Sequence, residues 1–344
     1  MLRCFQKLFI GVPKYQYFRN CGITASATKT HLKQLPKCLK KIALPYHENS
    51  TVIFRIWGIS ILTWLGFTSE DEGKESELIM TLKRAVLCMK REQYNTAEQL
   101  LHIALKIAQE QQNEQGIVYC FDLMANLAFD QQILDKAEKL FVTVLQILLS
   151  KGTKQDDLKV IHISLKLARI AQLRADLEKA ELGYEWCLEK IKNQRNDDLD
   201  TEILSGVIQD WYAQFLLDKG DNQKALFYLK EAYRVCEKTM GANNEKSMLL
   251  LNDLGITSFR AGDIANAEIF LNEGIKIGQK VDDQTHVGVL HANLGLVLLH
   301  KGIVEKAKTL CKEAWSLGKK NMNNETMEQA NYCFEQIKMN LGNK

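Results

Sequence analysis

The sequence predicts an all-α protein made of stacked helical hairpins, and three observations support this fold class. All three prolines, Pro13, Pro36 and Pro45, lie near the start of the 344-residue chain, and helix interiors tolerate proline poorly. Apolar residues recur at helical spacing from about residue 75 onward. Short polar breaks interrupt this pattern at regular intervals, near 111–116, 151–157, 193–200, 239–246, 280–285 and 320–325.

Residues 1–50 have the composition of a mitochondrial transit peptide. They contain nine Lys or Arg and one acidic residue, Glu48, and charges interrupt the apolar core that a secretory signal would need. A disordered basic tail is the alternative. The rest of the chain carries 36 basic and 41 acidic residues, so it has no positive excess to attract nucleic acid.

Residues 51–67 form an apolar segment with several interpretations. Its uninterrupted part, from Ile56 to Phe67, would span about 18 Å as a helix, whereas a bilayer core is about 30 Å thick. A membrane span would therefore begin at Thr51 and require Arg55 to snorkel. We expect either an inner-membrane anchor, a sorting signal or a helix packed on the body.

The body, residues 68–344, contains an internal repeat that is marked by an alanine after the inner turn of each hairpin. These anchor alanines, at intervals of 40, 43, 45, 42 and 40 residues, are Ala97, Ala137, Ala180, Ala225, Ala267 and Ala307. Twelve residues earlier stand the small residues Ala85, Ala125, Ala168, Ala213, Gly255 and Gly295. Four residues after the anchors come Leu101, Phe141, Tyr184, Leu229, Leu271 and Cys311, and three further Ala104, Val144, Cys187, Ala232, Gly274 and Ala314.

This pattern has a packing explanation. Small residues allow the two helices of a hairpin to approach closely, and the larger residue fills the gap to the next hairpin. Gly220-Asp221 and Gly262-Asp263 supply a left-handed stop and an N-cap between the helices, and Gly302 supplies the stop in the last hairpin. One hairpin cannot bury its own apolar face, so about six must stack, with residues 325–341 as a capping helix.

The sequence contains no local signature of an enzyme or a cofactor site. The common nucleotide, acyl-transfer and zinc motifs are absent. His286 and His291 are five residues apart, so on one helix their side chains would point about 140° apart and could not easily bind the same metal. The acidic pairs Asp156-Asp157, Asp197-Asp198 and Asp282-Asp283 precede helices and are explained by capping.

The nine cysteines form no C-x-x-C pair and are predicted to be reduced thiols. Trp186, Trp211 and Trp315 lie within the helical pattern, which favours core packing.

The repeat resembles the tetratricopeptide family, whose pattern is small at position 8, Ala at 20, aromatic or Leu at 24 and Ala at 27. The resemblance covers about residues 75–341 and implies a helical-hairpin solenoid of about six repeats of 40–45 residues plus the capping helix. It also implies a concave, protein-binding wall formed by the first helix of each repeat. Family positions 5, 9, 12 and 13 place nine polar residues there: Asp122, Asn126, Arg169, Gln172, Asp210, Gln214, Asn252, Arg260 and His300. No repeat has Lys at position 5, so binding of chaperone tails is not expected.

The basic leader, the apolar segment and the six long repeats together resemble a mitochondrial family of these proteins, the tetratricopeptide repeat domain 19 family. That resemblance implies association with the inner membrane and support of respiratory complex III, including clearance of fragments of the Rieske iron–sulfur subunit. The alternative is a cytosolic cargo adaptor, because periods of 40–45 residues also resemble those of kinesin light chains. The leader distinguishes the two hypotheses. Both are non-enzymatic and need no cofactor.

Overall fold

The structure, a computed structural model, describes residues 76–194, 198–281 and 286–342. These residues form thirteen helices and no strand. Clustering of contacts divides the chain into two compact units, with the boundary inside the seventh helix between Ile208 and Gln209. The predicted transit peptide, residues 1–50, and the apolar segment, residues 51–67, lie outside the described residues.

The first unit contains three hairpins and the start of a fourth. Its helices are α1 (Glu77–Lys90), α2 (Tyr94–Glu110), α3 (Glu114–Asp130), α4 (Leu134–Ser150), α5 (Leu158–Leu173), α6 (Leu177–Lys192) and the first part of α7 (Leu199–Lys219). Each helix from α1 to α5 packs on the next one in the chain. The side chain of Asp157 accepts a hydrogen bond from the Lys159 amide at the start of α5, which confirms the capping role predicted for this acid.

The second unit continues the hairpins and ends in a single helix. Its helices are the remainder of α7, α8 (Asn222–Met240), α9 (Glu245–Arg260), α10 (Ile264–Gly278), α11 (Val287–His300), α12 (Val304–Lys320) and α13 (Asn324–Gly342). The capping helix predicted at residues 325–341 is α13, which packs on both α11 and α12. Below, the first helix of each hairpin (α1, α3, α5, α7, α9, α11) is called an A helix and the second (α2, α4, α6, α8, α10, α12) a B helix.

The turns inside the hairpins have the predicted chemistry where glycine occurs. Gly220 and Gly262 have φ angles of 81° and 86°, in the left-handed region that glycine adopts without strain. The side chains of Asp221 and Asp263 then accept hydrogen bonds from the backbone amides at the start of α8 and α10. These two turns therefore satisfy the start of the second helix from their own sequence.

The register of the repeat is confirmed by burial. All six anchor alanines are fully buried, and so are the residues four positions after them, from Leu101 to Cys311. A Cβ atom added to Gly255 would lie 2.6 Å from Cγ of Leu271, so α9 and α10 approach each other as closely as the small residue permits. The small positions are thus set by the distance between the two helices of a hairpin.

Two sequence predictions about the core are wrong. Trp315 has 38% of its surface exposed, because α12 is the last B helix among the described residues and no hairpin packs against that side. Cys311 and Cys333 form a disulfide, with Cα atoms 6.1 Å apart, rather than remaining reduced. The packing of α12 on α13 brings these two cysteines together, which their spacing of 22 residues did not indicate.

Candidate protein-binding face on the A helices

All nine residues predicted to bind a partner lie on A helices, but they differ in exposure. Four of them are buried: Asn126, Gln172, Asp210 and Asn252. Four more are half-buried: Asp122, Arg169, Gln214 and Arg260. His300, at the end of α11, is exposed. Only part of the predicted set is therefore open to a partner in this structure.

In the first unit, a buried polar cluster joins α3 to α5. The side-chain amide of Asn126 donates to the carboxylate of Asp122 at 3.0 Å, and its carbonyl oxygen accepts a hydrogen bond from the Lys166 ammonium. Burial raises the pKa of Asp122, an effect that Lys166 and Asn126 oppose, and burial lowers the pKa of Lys166. A buried charge needs such partners, so this cluster fixes the contact between consecutive A helices.

A second contact in the first unit positions Arg169. Its guanidinium donates to Oε1 of Gln172 at 2.9 Å, and the hydroxyl of Tyr184 on α6 donates to the same oxygen at 2.6 Å. Tyr184 is fully buried and Gln172 nearly so, whereas Arg169 is half-exposed. Gln172 therefore connects the hairpin core to a charge at the surface of the A helices.

In the second unit, two acid-centred contacts join α7 to α9. The ammonium of Lys246 lies 2.6 Å from the carboxylate of Asp210, and the amide of Gln214 donates to Asp253 at 2.9 Å. Burial, together with the nearby carboxylate of Asp210, raises the pKa of Asp253 to about 7. Because Lys246 opposes that shift, the three groups form one electrostatic cluster.

A chain of amide side chains continues from this cluster through the second unit. Asn252 on α9 donates to Asp253, and its carbonyl oxygen accepts a hydrogen bond from Asn293 on α11 at 2.8 Å. The carbonyl oxygen of Asn293 in turn accepts a hydrogen bond from Gln329 on α13 at 2.9 Å. All three amide side chains are buried, so this amide ladder holds successive helices in register.

Arg260 and His300 lie at the ends of α9 and α11. Burial lowers the pKa of Arg260, and the carboxylates of Asp253 and Asp218 oppose this shift. The imidazole ring of His300 makes an edge-on contact with Phe259, with the ring centres 5.3 Å apart. Together with the half-buried Gln214, these two side chains are the candidates in the second unit that combine a polar group with access to solvent.

Five residues of these contacts were not predicted from the sequence: Lys166, Lys246, Asp253, Asn293 and Gln329. Each lies 36 to 41 residues after its partner, which is about one repeat length. A search for polar residues one repeat apart would have found them. Among the described residues, no group of three His, Cys, Asp or Glu side chains is placed to hold a metal.

Comparisons with known proteins agree with the repeat and identify a family. The profile described as "Tetratricopeptide repeat" matches residues 205–280. The chain is 39% identical to "Tetratricopeptide repeat protein 19 homolog, mitochondrial" of Drosophila melanogaster, over 80% of this chain and 76% of that protein. It is 32% identical to "Tetratricopeptide repeat protein 19, mitochondrial" of Homo sapiens, over 72% of this chain and 69% of that protein.

Solved structures show the same fold at lower identity. BtubC from P. vanneervenii is 18% identical with a TM-score of 0.56, covering 72% of this chain and 93% of that one. A putative kinesin light chain of Podosopora anserina is 16% identical with a TM-score of 0.50, covering 60% of this chain and 97% of that one. At these identities the likeness concerns the fold alone. Tetratricopeptide repeats are protein-interaction scaffolds, and the two relatives align with most of this sequence. The chain belongs to the tetratricopeptide repeat protein 19 family.

Proposed function

We propose that this protein is a mitochondrial, non-enzymatic scaffold that supports respiratory complex III by aiding the clearance of Rieske subunit fragments. Membership of the tetratricopeptide repeat protein 19 family carries this proposal, since the relatives are named mitochondrial and cover most of the chain. The acid-poor basic composition of residues 1–50 is consistent with import. The cargo-adaptor alternative has only the fold in its favour.

Association with the inner membrane is part of this proposal and rests on residues 51–67. The described helices include none that is long and apolar enough to cross a bilayer. The apolar segment before them is the part of the chain that we propose as the anchor. Its Trp57 and Trp64 are residues that favour the boundary between lipid and water.

Each unit supplies solvent-accessible A-helix residues for binding a protein segment, Arg169 in the first unit and Arg260 and His300 in the second. Gln172 accepts a hydrogen bond from Arg169, the carboxylates of Asp253 and Asp218 lie near Arg260, and Phe259 packs on His300. The buried candidates, such as Asn126 and Asn252, support these residues instead of contacting the partner directly. A face of fixed polar groups can grip an extended or helical segment without any catalytic step, so fragment cleavage belongs to a separate protease.

The test is rescue of cells that lack this protein. Wild-type protein should restore complex III activity and remove accumulated Rieske presequence fragments, and Arg169→Ala/Arg260→Ala/His300→Ala should not. Asp210 is left unchanged because its carboxylate pairs with Lys246 inside the fold, so altering it would disturb stability as well as binding.

The matched control is Lys106→Ala/Lys139→Ala/Lys276→Ala, which removes three exposed charges from B helices. Both variants should retain the helical content of the wild type by circular dichroism. Full rescue by the A-helix variant would show that this face is not the binding surface. Normal complex III activity and fragment content in cells without the protein would disprove the complex III role itself.

A further inference from the structure

One position on the B helices binds the next repeat through charge. The residue directly after the anchor alanine is a glutamate in α2, α4, α6 and α10, and in α2, α4 and α10 it pairs with a lysine of the following repeat. The pairs, with nitrogen–oxygen distances of 2.5, 2.9 and 2.5 Å, are Glu98–Lys136, Glu138–Lys179 and Glu268–Lys301. This side of a B helix therefore faces the hairpin that follows.

A second position on the same side makes a similar contact. Eight residues after its anchor, Tyr233 on α8 donates a hydrogen bond to Glu273 on α10 at 3.4 Å. The equivalent residue on α12 is Trp315. The two positions together define the side of a B helix whose side chains reach the following repeat.

In α12 this side has the opposite charge. The residue directly after the anchor is Lys308, and Lys312, Trp315 and Lys319 follow at intervals of four, three and four, which places all four on one face. We call this face the α12 stripe. Its three lysines are exposed, Trp315 is 38% exposed, and the Lys319 ammonium lies 5.3 Å from the centre of the Trp315 ring.

The acids near the stripe do not neutralise it. Glu313 lies 3.0 Å from His291 on α11. Glu305, one turn before Lys308, is the other acid of α12, which carries five lysines in all. Among the described residues, Lys308 and Lys312 have no carboxylate partner. The stripe is therefore a basic surface around one exposed indole.

The last helix leaves the stripe open. α13 packs against a different side of α12, where Met327 contacts Gly318 and Cys333 is joined to Cys311. The outward side of α13 is polar and exposed, with Glu328, Asn331 and Glu335. Thus α13 covers α11, the last A helix, and no described helix covers the α12 stripe.

We propose that the α12 stripe docks an acidic amphipathic helix of a partner protein, in the position where the B helix of a following repeat would lie. In the other B helices the equivalent side binds a following repeat, so its geometry suits a helix. The three lysines select carboxylates, and the half-exposed indole supplies an aromatic anchor of the kind that dominates interface energies. This inference does not depend on the complex III role.

The experiment selects helical peptides on the immobilised full chain. The library has a fixed Leu/Ala face and, at the flanking positions, an equal choice of Glu or Lys. We expect enrichment of Glu on the flanks with the wild type. Lys308→Glu/Lys312→Glu should abolish or invert this preference and weaken binding of an enriched peptide at least about tenfold, since both attractive charges become repulsive.

The matched control is Lys276→Glu/Lys306→Glu, which makes the same change in net charge on exposed lysines outside the stripe. It should retain the Glu preference and bind the enriched peptide within about twofold of the wild type. A pool without Glu enrichment, or equal loss of binding in the control, would overturn the proposal. So would sedimentation of the chain with vesicles of phosphatidylcholine and phosphatidylglycerol through Lys308 and Lys312 without any peptide preference, since that result would assign the stripe to a lipid surface.

Discussion

Removing the middle amide of the ladder should destabilise the end of the second unit. Asn293 is 2% exposed, donates to Asn252 at 2.8 Å and accepts from Gln329 at 2.9 Å. In Asn293→Ala, the carbonyl oxygen of Asn252 and the amide of Gln329 each lose this partner. Water cannot readily replace it, because both side chains are also buried.

The expected loss follows from these two broken bonds. Leaving one buried polar group unsatisfied costs about 1–3 kcal/mol, so two such groups should cost about 3 kcal/mol after partial relaxation. Asn272→Ala is the control, since the Asn272 amide donates to the Glu268 carbonyl at an exposed site of α10. It should change the free energy of unfolding by less than about 0.5 kcal/mol.

Two measurements together test this expectation. Urea unfolding followed by circular dichroism gives the change in free energy, and amide hydrogen exchange shows which helices open. Because repeats unfold locally, exchange in α13 should increase more than exchange in α9. If Asn293→Ala loses less than about 1 kcal/mol and exchange in α13 is unchanged, the ladder does not hold these helices.

Three further predictions concern pH, packing and import. The folded pKa of Asp253, about 7, exceeds its unfolded value of about 3.9, so the free energy of unfolding should fall as pH rises between these values. Asp253→Asn should abolish this fall, which is measured by comparing urea midpoints at about pH 5 and about pH 8. Ala267 is fully buried, so Ala267→Trp should lower the melting temperature through overpacking that costs about 1–3 kcal/mol or more, measured by circular dichroism. Residues 1–50 should direct a reporter protein into mitochondria and be cleaved there, and a cytosolic, uncleaved reporter would contradict the transit-peptide assignment.

The fold could be predicted because its determinants are local and repeated. A buried alanine such as Ala225 recurs in every hairpin because the two helices of each hairpin approach closely at that position. The turn at Gly220-Asp221 is determined by its own residues, since glycine adopts the left-handed φ that the turn requires. The pattern therefore gave helix order, hairpin register and the capping helix. It could not give the unit boundary inside α7, which depends on contacts between whole helices.

The exposure of the candidate binding residues could be predicted only in part. Family positions placed the candidates on the A helices, but exposure depends on what the neighbouring repeat contributes. Asp210 is buried because Lys246 reaches it from the next A helix, and Asn126 is buried beneath Lys166 in the same way. A candidate's own position in the repeat contains no information about that neighbour.

The sequence by itself determined the helical repeat, because short-range periodicity and small residues at fixed spacing are visible along one chain. Only the tertiary structure decided which polar groups face each other across repeats, since a hydrogen bond between Asn252 and Asn293 depends on how two helices stack. The same reason explains Trp315: its helical register predicts packing, and Trp315 is exposed because no described helix packs on its side of α12. Local structure followed from local sequence, whereas burial, pairing and the open stripe followed from contacts between distant segments.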